Sequence, residues 1–130
     1  MKIAIVGGRE FKDYDLMRQV FLDLVQLVDS HSYQIVSGGA RGADTLAKKL
    51  AEEFNLGFIE FKPITSEINL YGFGRAAYMR NQRIVDEADC LLAFPDPNSR
   101  GTWDSVRKAQ KRGIPVTIIE DEEYKEWKSL

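Results

Sequence analysis

The chain has 130 residues, of which 44% are hydrophobic and 29% charged, with a formal net charge of −2 and a pI of about 5.5. These values are typical of one globular domain, and the slight negative charge disfavours nucleic acid as a partner. One cysteine and one histidine exclude an internal disulfide and zinc sites built from several such residues. No apolar run approaches the ~18 residues of a membrane-spanning helix, and the start lacks a signal-peptide layout, so we expect no membrane association and a cytoplasmic location.

Short apolar runs alternate along the chain with amphipathic helical patterns. The predicted strands cover residues 2–6, 34–36, 57–61, 90–94 and 115–119, and the predicted helices cover about 16–28, 46–54, 76–88 and 102–111. The strands are continuous apolar runs, which indicates burial on both faces and hence a parallel sheet. The sequence predicts a single α/β domain over 1–130, a Rossmann-type three-layer α/β/α fold with a mainly parallel five-stranded sheet. Residues 120–130 form an acidic tail. The segment from Lys62 to about Gly74 is predicted to be irregular, and its part from Thr65 to Gly74 is either a lid or an interface.

Glycine and arginine are concentrated directly after the predicted strands. In a doubly wound sheet, ligands bind at the carboxyl ends of the strands, where the strand order reverses. The stretch Ser37 to Asp44, SGGARGAD, joins the second strand to a helix. Its glycines would let backbone N–H groups approach a phosphate, and Arg41 would add a charged fork. The alternative is that these glycines only form a tight turn between the strand and the helix. Asp44 could accept hydrogen bonds from ribose hydroxyls, or it could interact with the helix dipole.

Two further groups of residues are candidates for the same edge of the sheet. Arg80 and Arg83 share a helix face beside Asn81, either at a pocket or on a solvated surface. Gly101 and Thr102 begin a helix, where Thr102 could cap it and the free N–H groups could bind a second anion. Trp103 could stack on a base or belong to the core. The residues predicted to contact a ligand are Gly7, Gly8, Arg9, Ser37, Gly38, Gly39, Arg41, Gly42, Asp44, Arg80, Asn81, Gly101 and Thr102.

Four motifs occur in order between about Met1 and Ile119, namely VGGREF, VSGGARGADTLAKKLA, MRNQRI and LLAFPDPNSRGTWDSVRKA. Together they resemble the SLOG superfamily, in particular its YspA-type branch related to YpsA. The superfamily includes the Lonely Guy-type phosphoribohydrolases and the DNA-processing protein A family. The resemblance implies a nucleotide-derived ligand. It also implies a catalytic role for Arg80, which approximately matches the arginine of the phosphoribohydrolases. Their catalytic glutamate falls on Ser105, a departure from the family pattern, and Asp104, one residue earlier, is the catalytic carboxylate that we predict in its place.

The leading hypothesis is therefore a sensor or binding module for a nucleotide or a related phosphorylated ligand. One alternative is an enzyme that cleaves the N-glycosidic bond of a nucleotide, with Arg80 holding the phosphate. Asp104 is the first candidate for the carboxylate, and Asp96 and Glu10 are the others. A second alternative is single-stranded DNA binding, which the likeness of SGGARGAD to the DNA-processing loop suggests and the acidic pI disfavours. No cofactor or metal site is evident, although Mg²⁺ could accompany a phosphate. We expect a homodimer because related domains often dimerise.

Overall fold

Strands and helices alternate along the part of the chain that the computed structural model describes, residues 1–28, 30 and 32–120. The predicted acidic tail lies outside the described residues beyond Glu120. The elements are β1 (Lys2–Gly7), α1 (Tyr14–Leu27), β2 (Gln34–Ser37), α2 (Ala43–Glu53), β3 (Gly57–Glu60), α3 (Thr65–Tyr71), α4 (Phe73–Glu87), β4 (Cys90–Phe94), α5 (Arg100–Arg112) and β5 (Val116–Ile118). No helix among these residues is long and apolar enough to cross a membrane.

The five strands form one sheet in the order β3-β2-β1-β4-β5. Every strand pair is parallel; Ile3 of β1, for example, is in register with Ile35 of β2 and with Cys90 of β4. The predicted α/β fold is confirmed, and the sheet is entirely parallel. Because β1 pairs with β2 on one side and with β4 on the other, the strand order reverses between β1 and β4. That reversal places a crevice at the carboxyl ends of these two strands.

The continuous apolar strands arise because both faces of the sheet are covered. Ile3 and Ile5 of β1 face a core closed by α1 and α2. Ala4 and Val6 face a second core closed by α4 and α5. Alternate side chains of one strand thus enter opposite cores, so no polar alternation appears in the sequence.

The segment predicted to be irregular contains a helix instead. Helix α3 buries none of its residues, so it lacks the apolar stripe by which an amphipathic helix is recognised. It contacts α4 through an ion pair in which Arg83 Nη2 lies 2.6 Å from Glu67 Oε2. The predicted starts of the two following helices were also too late, since α4 begins at Phe73 and α5 at Arg100.

Thr102 is not the cap of α5. The N-cap is Ser99, whose hydroxyl accepts a hydrogen bond from the Asp96 N–H at 2.7 Å. Thr102 lies in the first helical turn and is buried. Its predicted capping role was wrong because the helix begins two residues before it.

Candidate functional site

A cleft of about 760 Å³ opens at the carboxyl edge of the sheet, where the strand order reverses. Its walls are the loops after β1, β2 and β4, the first two turns of α5 and one side of α4 from Phe73 to Ile84. The cleft brings together most of the predicted ligand residues, namely Gly7, Gly8, Arg9, Gly38, Asp44, Arg80, Asn81, Gly101 and Thr102. Ser37, Gly39, Arg41 and Gly42 do not line it.

Asp44 holds the glycine-rich loop in shape. Its Oδ1 lies 2.8 Å from the Ser37 hydroxyl oxygen, and its Oδ2 accepts the Ala40 N–H at 2.9 Å. Ser37 is fully buried, and its hydroxyl also lies 3.0 Å from the Ile5 carbonyl oxygen. Burial raises the pKa of Asp44 above its usual range, although these hydrogen bonds oppose the shift. Ser37 and Asp44 therefore stabilise the conformation of this loop.

Arg80 connects α4 to the ends of two strands. Its Nη1 donates to the Gly38 carbonyl oxygen at 2.7 Å and to the Phe61 carbonyl oxygen at 3.2 Å. Its Nε donates to Asn81 Oδ1 at 3.0 Å. Burial lowers the pKa of Arg80, against the opposing effect of the Asp44 charge. The guanidinium lines the cleft while most of its hydrogen-bonding capacity is used by the protein.

Asp104 lies behind the cleft wall and does not line it. Its Oδ2 accepts a hydrogen bond from Asn81 Nδ2 at 3.1 Å and forms an ion pair with Lys108. The Asn81 amide also donates to the Gly101 carbonyl oxygen at 3.3 Å. The catalytic role implied for Asp104 stays a prediction. Trp103, for which stacking and packing were both open, packs against the core below α4 and α5.

The glycines of the first two loops allow these loops to contact each other. Gly42 has a φ of +78°, and a Cβ there would lie 2.4 Å from the Gly8 carbonyl oxygen. A Cβ on Gly8 would lie 1.8 Å from Asp96 Oδ2. The predicted reason for Gly42 was the approach of a phosphate, and in the structure the backbone of the β1 loop occupies the space where its Cβ would lie. Arg41 lies outside the cleft, with a side chain 73% exposed and 3.1 Å from Glu10 Oε1.

Four arginines line the cleft, and none forms an ion pair with a described residue. They are Arg9, Arg75, Arg80 and Arg100. Of the other described cationic side chains, six form such pairs, namely Lys2, Arg18, Arg41, Lys62, Arg83 and Lys108, and six do not, namely Lys12, Lys48, Lys49, Arg107, Lys111 and Arg112. The carboxylates lining the cleft are already engaged: Glu10 with Arg41, Asp44 with its loop, and Asp96 with the N–H groups of Glu10 and Asn98. The four lining arginines outnumber the three lining carboxylates, and Glu10 is paired with Arg41 outside the cleft, so the cleft has a modest excess of positive charge.

Two exposed aromatic rings complete the lining. Phe73 is 56% exposed and Tyr78 is 40% exposed, and both belong to α4. The sequence-based site omitted these rings together with Arg75 and Arg100. The signal that could have found Phe73, Arg75 and Tyr78 is a helix start at Phe73, because a helix that begins there brings these three residues to the cleft. Arg100 belongs to α5 and needs the earlier start of that helix.

The described residues contain no group of three or more Cys, His, Asp or Glu side chains placed to hold a metal ion. Mg²⁺ bound through a phosphate ligand stays a prediction, as does the homodimer.

The sequence is similar to two kinds of known protein. Residues 1–60 match the family model of DNA recombination-mediator protein A. Over 122 residues the chain is 33% identical to the Gene 61 protein of Mycobacterium phage D29. This match covers 92% of this chain and 97% of that protein.

The fold is similar to solved structures of longer proteins. DNA processing protein A from Streptococcus pneumoniae matches with a TM-score of 0.73 and 18% identity, over 92% of this chain and 50% of that protein. The Helicobacter pylori protein of the same name, solved for its single-stranded DNA binding mode, matches with a TM-score of 0.65 and 23% identity. This match covers 93% of this chain and 66% of that protein. TM1055 matches with a TM-score of 0.60 and 18% identity, over 88% of this chain and 71% of that protein. The chain thus spans about half to two thirds of the two DNA processing proteins.

These findings correct one expectation. The net charge disfavoured nucleic acid as a partner, and that inference was wrong, because the matching family model is that of a DNA recombination mediator and a protein of the same fold binds single-stranded DNA. Net charge is a sum over the whole chain and does not show local clustering; here four of the nine arginines line one cleft. The resemblance to the YspA-type branch stays a prediction.

Proposed function

The chain belongs to the family of the Gene 61 protein of Mycobacterium phage D29, and we propose that it binds single-stranded DNA in the cleft between the β1 and β4 loops. The observation that carries this proposal is the set of three exposed arginines, Arg9, Arg75 and Arg100, which form no ion pair with a described residue and line the cleft beside two exposed aromatic rings. A single strand presents both complementary groups, since each nucleotide has one phosphate and one flat base.

The arginines would bind phosphates. A guanidinium offers N–H groups in a planar fork that matches two phosphate oxygens, and such charge-assisted hydrogen bonds are stronger than neutral ones. Arg9 and Arg100 are exposed and form no hydrogen bond through their side chains with the described residues. Their donors are therefore available. The N–H groups of the first α5 turn, at Gly101 and Thr102, lack intrahelical acceptors and face the same cleft.

Phe73 and Tyr78 would stack on bases. Stacking is independent of base identity, because every base has a π-face, and it contributes about 1–3 kcal/mol per base. Two rings exposed at the border of a charged cleft are typical of a surface that holds a strand without reading its sequence. We therefore expect weak sequence preference and a strong dependence on salt.

A free nucleotide is the second candidate ligand, and the size of the cleft favours it. Pockets for small molecules occupy about 300–1,000 Å³, and the volume here is about 760 Å³. A sensor for a phosphorylated nucleoside would use the same arginines and rings. For the glycosidase alternative, Asp104 is paired with Lys108 away from the cleft, whereas the other two candidate carboxylates, Glu10 and Asp96, line it.

Binding of a fluorescent oligothymidylate of about 20 nucleotides, followed by anisotropy, tests the proposal. We expect the wild type to bind, and the Arg9→Ala/Arg100→Ala variant to bind at least about tenfold more weakly, because two charge-assisted contacts are lost. Lys48→Ala, an exposed substitution on α2 across the sheet, is the control and should bind like the wild type. Absence of binding by the folded wild type overturns the proposal. Displacement of the oligonucleotide by equimolar mononucleotide would favour the second candidate.

A further inference from the structure

Helix α5 carries a line of basic side chains that begins at the cleft. Arg107 and Lys111 follow Arg100 by seven and eleven residues, so all three lie within about 20° of one line along the helix. All three are exposed. The buried residues of α5 lie on the opposite side and are Thr102, Ser105, Val106 and Ala109.

The fold does not require two of these cations. Elsewhere on α5 the basic residues have structural partners: Lys108 pairs with Asp104, and Arg112 Nη1 donates to the carbonyl oxygens of Val85 and Ala88 at 2.7 Å each. Arg107 and Lys111 form no ion pair or hydrogen bond through their side chains with any described residue. A cation in the last turn of a helix interacts favourably with the helix dipole. This interaction explains a cation at Lys111, but not at Arg107 in the middle of the helix.

The line is continuous with the cleft, because Arg100 both lines the cleft and begins α5. From Arg100 to Lys111 the helix rises about 16 Å, which is about five phosphates at the spacing of a stacked strand. Asp104 lies close to this line, and its charge is balanced by Lys108.

We propose that α5 is a second strand-binding surface, along which single-stranded DNA leaving the cleft at Arg100 continues past Arg107 and Lys111. This inference rests on the proposed function and extends it, since it makes the ligand a strand longer than the cleft. The contacts are to backbone phosphates, so they are independent of sequence. A mononucleotide or very short oligonucleotide would not reach them.

The test compares two oligothymidylates, of about four and about 20 nucleotides, across a salt series. The Arg107→Ala/Lys111→Ala variant should bind the long strand at least about fivefold more weakly, with a salt slope smaller by about 1.4 because two phosphate contacts are lost. It should bind the short strand like the wild type. Lys48→Ala/Lys49→Ala on α2 removes the same charge from an exposed surface in the opposite layer and should change neither affinity nor slope.

The outcomes separate the two proposals. If the α5 variant keeps the long-strand affinity and slope while Arg9→Ala/Arg100→Ala loses binding, the α5 surface is overturned and the cleft stands. Equal losses for both strand lengths, or an equal loss in the α2 control, also overturn the α5 surface, since the effect is then one of general charge. If the folded wild type binds neither strand, the proposed function itself fails and the α5 surface with it.

Discussion

The Arg80 guanidinium lies 2.7 Å from the carbonyl oxygen of Gly38, so a helix of one layer fixes the glycine-rich loop after β2. A Cβ on Gly38 would lie 2.7 Å from Arg80 Nη1, so this close approach depends on the glycine. Arg80 lines the cleft, yet its donors are largely used within the protein. We interpret it as a residue that positions the cleft.

Replacing Arg80 should therefore reduce stability as well as binding. In Arg80→Ala the carbonyl groups of Gly38 and Phe61 lose a charged donor, and we expect the free energy of unfolding to fall by about 2 kcal/mol. Arg9→Ala removes an exposed side chain without a partner among the described residues, and it should change stability by less than about 0.5 kcal/mol. Urea unfolding of both variants measures this difference. Equal stabilities would contradict the positioning role.

Phe73 should contribute to binding without contributing to stability. Its ring is more than half exposed at the cleft, so Phe73→Ala should weaken oligothymidylate binding by about five- to 100-fold, the equivalent of one stacked base. Phe73→Trp should preserve the affinity, because it keeps an aromatic face. Leu70→Ala removes a similarly exposed apolar side chain from α3, outside the cleft, and serves as the matched control. A loss in Leu70→Ala as large as in Phe73→Ala would argue against stacking.

The sheet could be predicted from the sequence because both of its faces are buried. Every residue of β4 is buried, so its apolar run stands out without knowledge of the fold. Helix α3 could not be predicted in this way, since it has no buried face, and its link to α4 is an ion pair between residues 67 and 83. Such a pair across two elements leaves no periodic signal in either of them.

The location of the site could also be predicted, whereas the roles of its residues could not. Strand order places the loops after β1, β2 and β4 at one edge, and the cleft lies there. Whether a side chain faces the cleft or a neighbouring loop depends on contacts between distant residues. Arg41 pairs with Glu10, 31 residues away. Gly42 packs against the backbone of Gly8, 34 positions earlier in the chain. Nothing in the SGGARGAD stretch alone indicates either contact.

The contact between the first two loops makes Gly42 sensitive to substitution. In Gly42→Ala the backbone would have to keep a φ of +78°, and the new Cβ would lie 2.4 Å from the Gly8 carbonyl oxygen. We expect a loss of at least about 2 kcal/mol, from backbone strain together with movement of the β1 loop. Gly74→Ala is the control, because a Cβ there meets nothing within 4 Å and alanine favours a helix. Thermal unfolding should show Gly42→Ala well below the wild type and Gly74→Ala at or above it.

Asp44 and Asp96 should make opposite contributions to the pH dependence of stability. Burial raises the pKa of Asp44 in the folded protein. Burial also acts to raise the pKa of Asp96, but the N–H groups of Asn98 and Glu10 outweigh it, and the pKa is lowered. The folded protein thus binds a proton at Asp44 more tightly, and at Asp96 less tightly, than the unfolded chain does.

The sign of each effect follows from this linkage. The stability contributed by Asp44 is fully present below the ordinary carboxyl pKa of about 4 and is lost as the pH rises through its raised folded value. The contribution of Asp96 is present above about pH 4 and is lost as the pH falls through its lowered folded value. Urea unfolding from about pH 3 to about pH 7 therefore distinguishes the two carboxylates. The free energy of unfolding of the wild type minus that of Asp44→Asn should decrease with rising pH, whereas the same difference for Asp96→Asn should increase. Differences that change in the same direction for both variants would contradict the buried position of Asp44 beneath the glycine-rich loop.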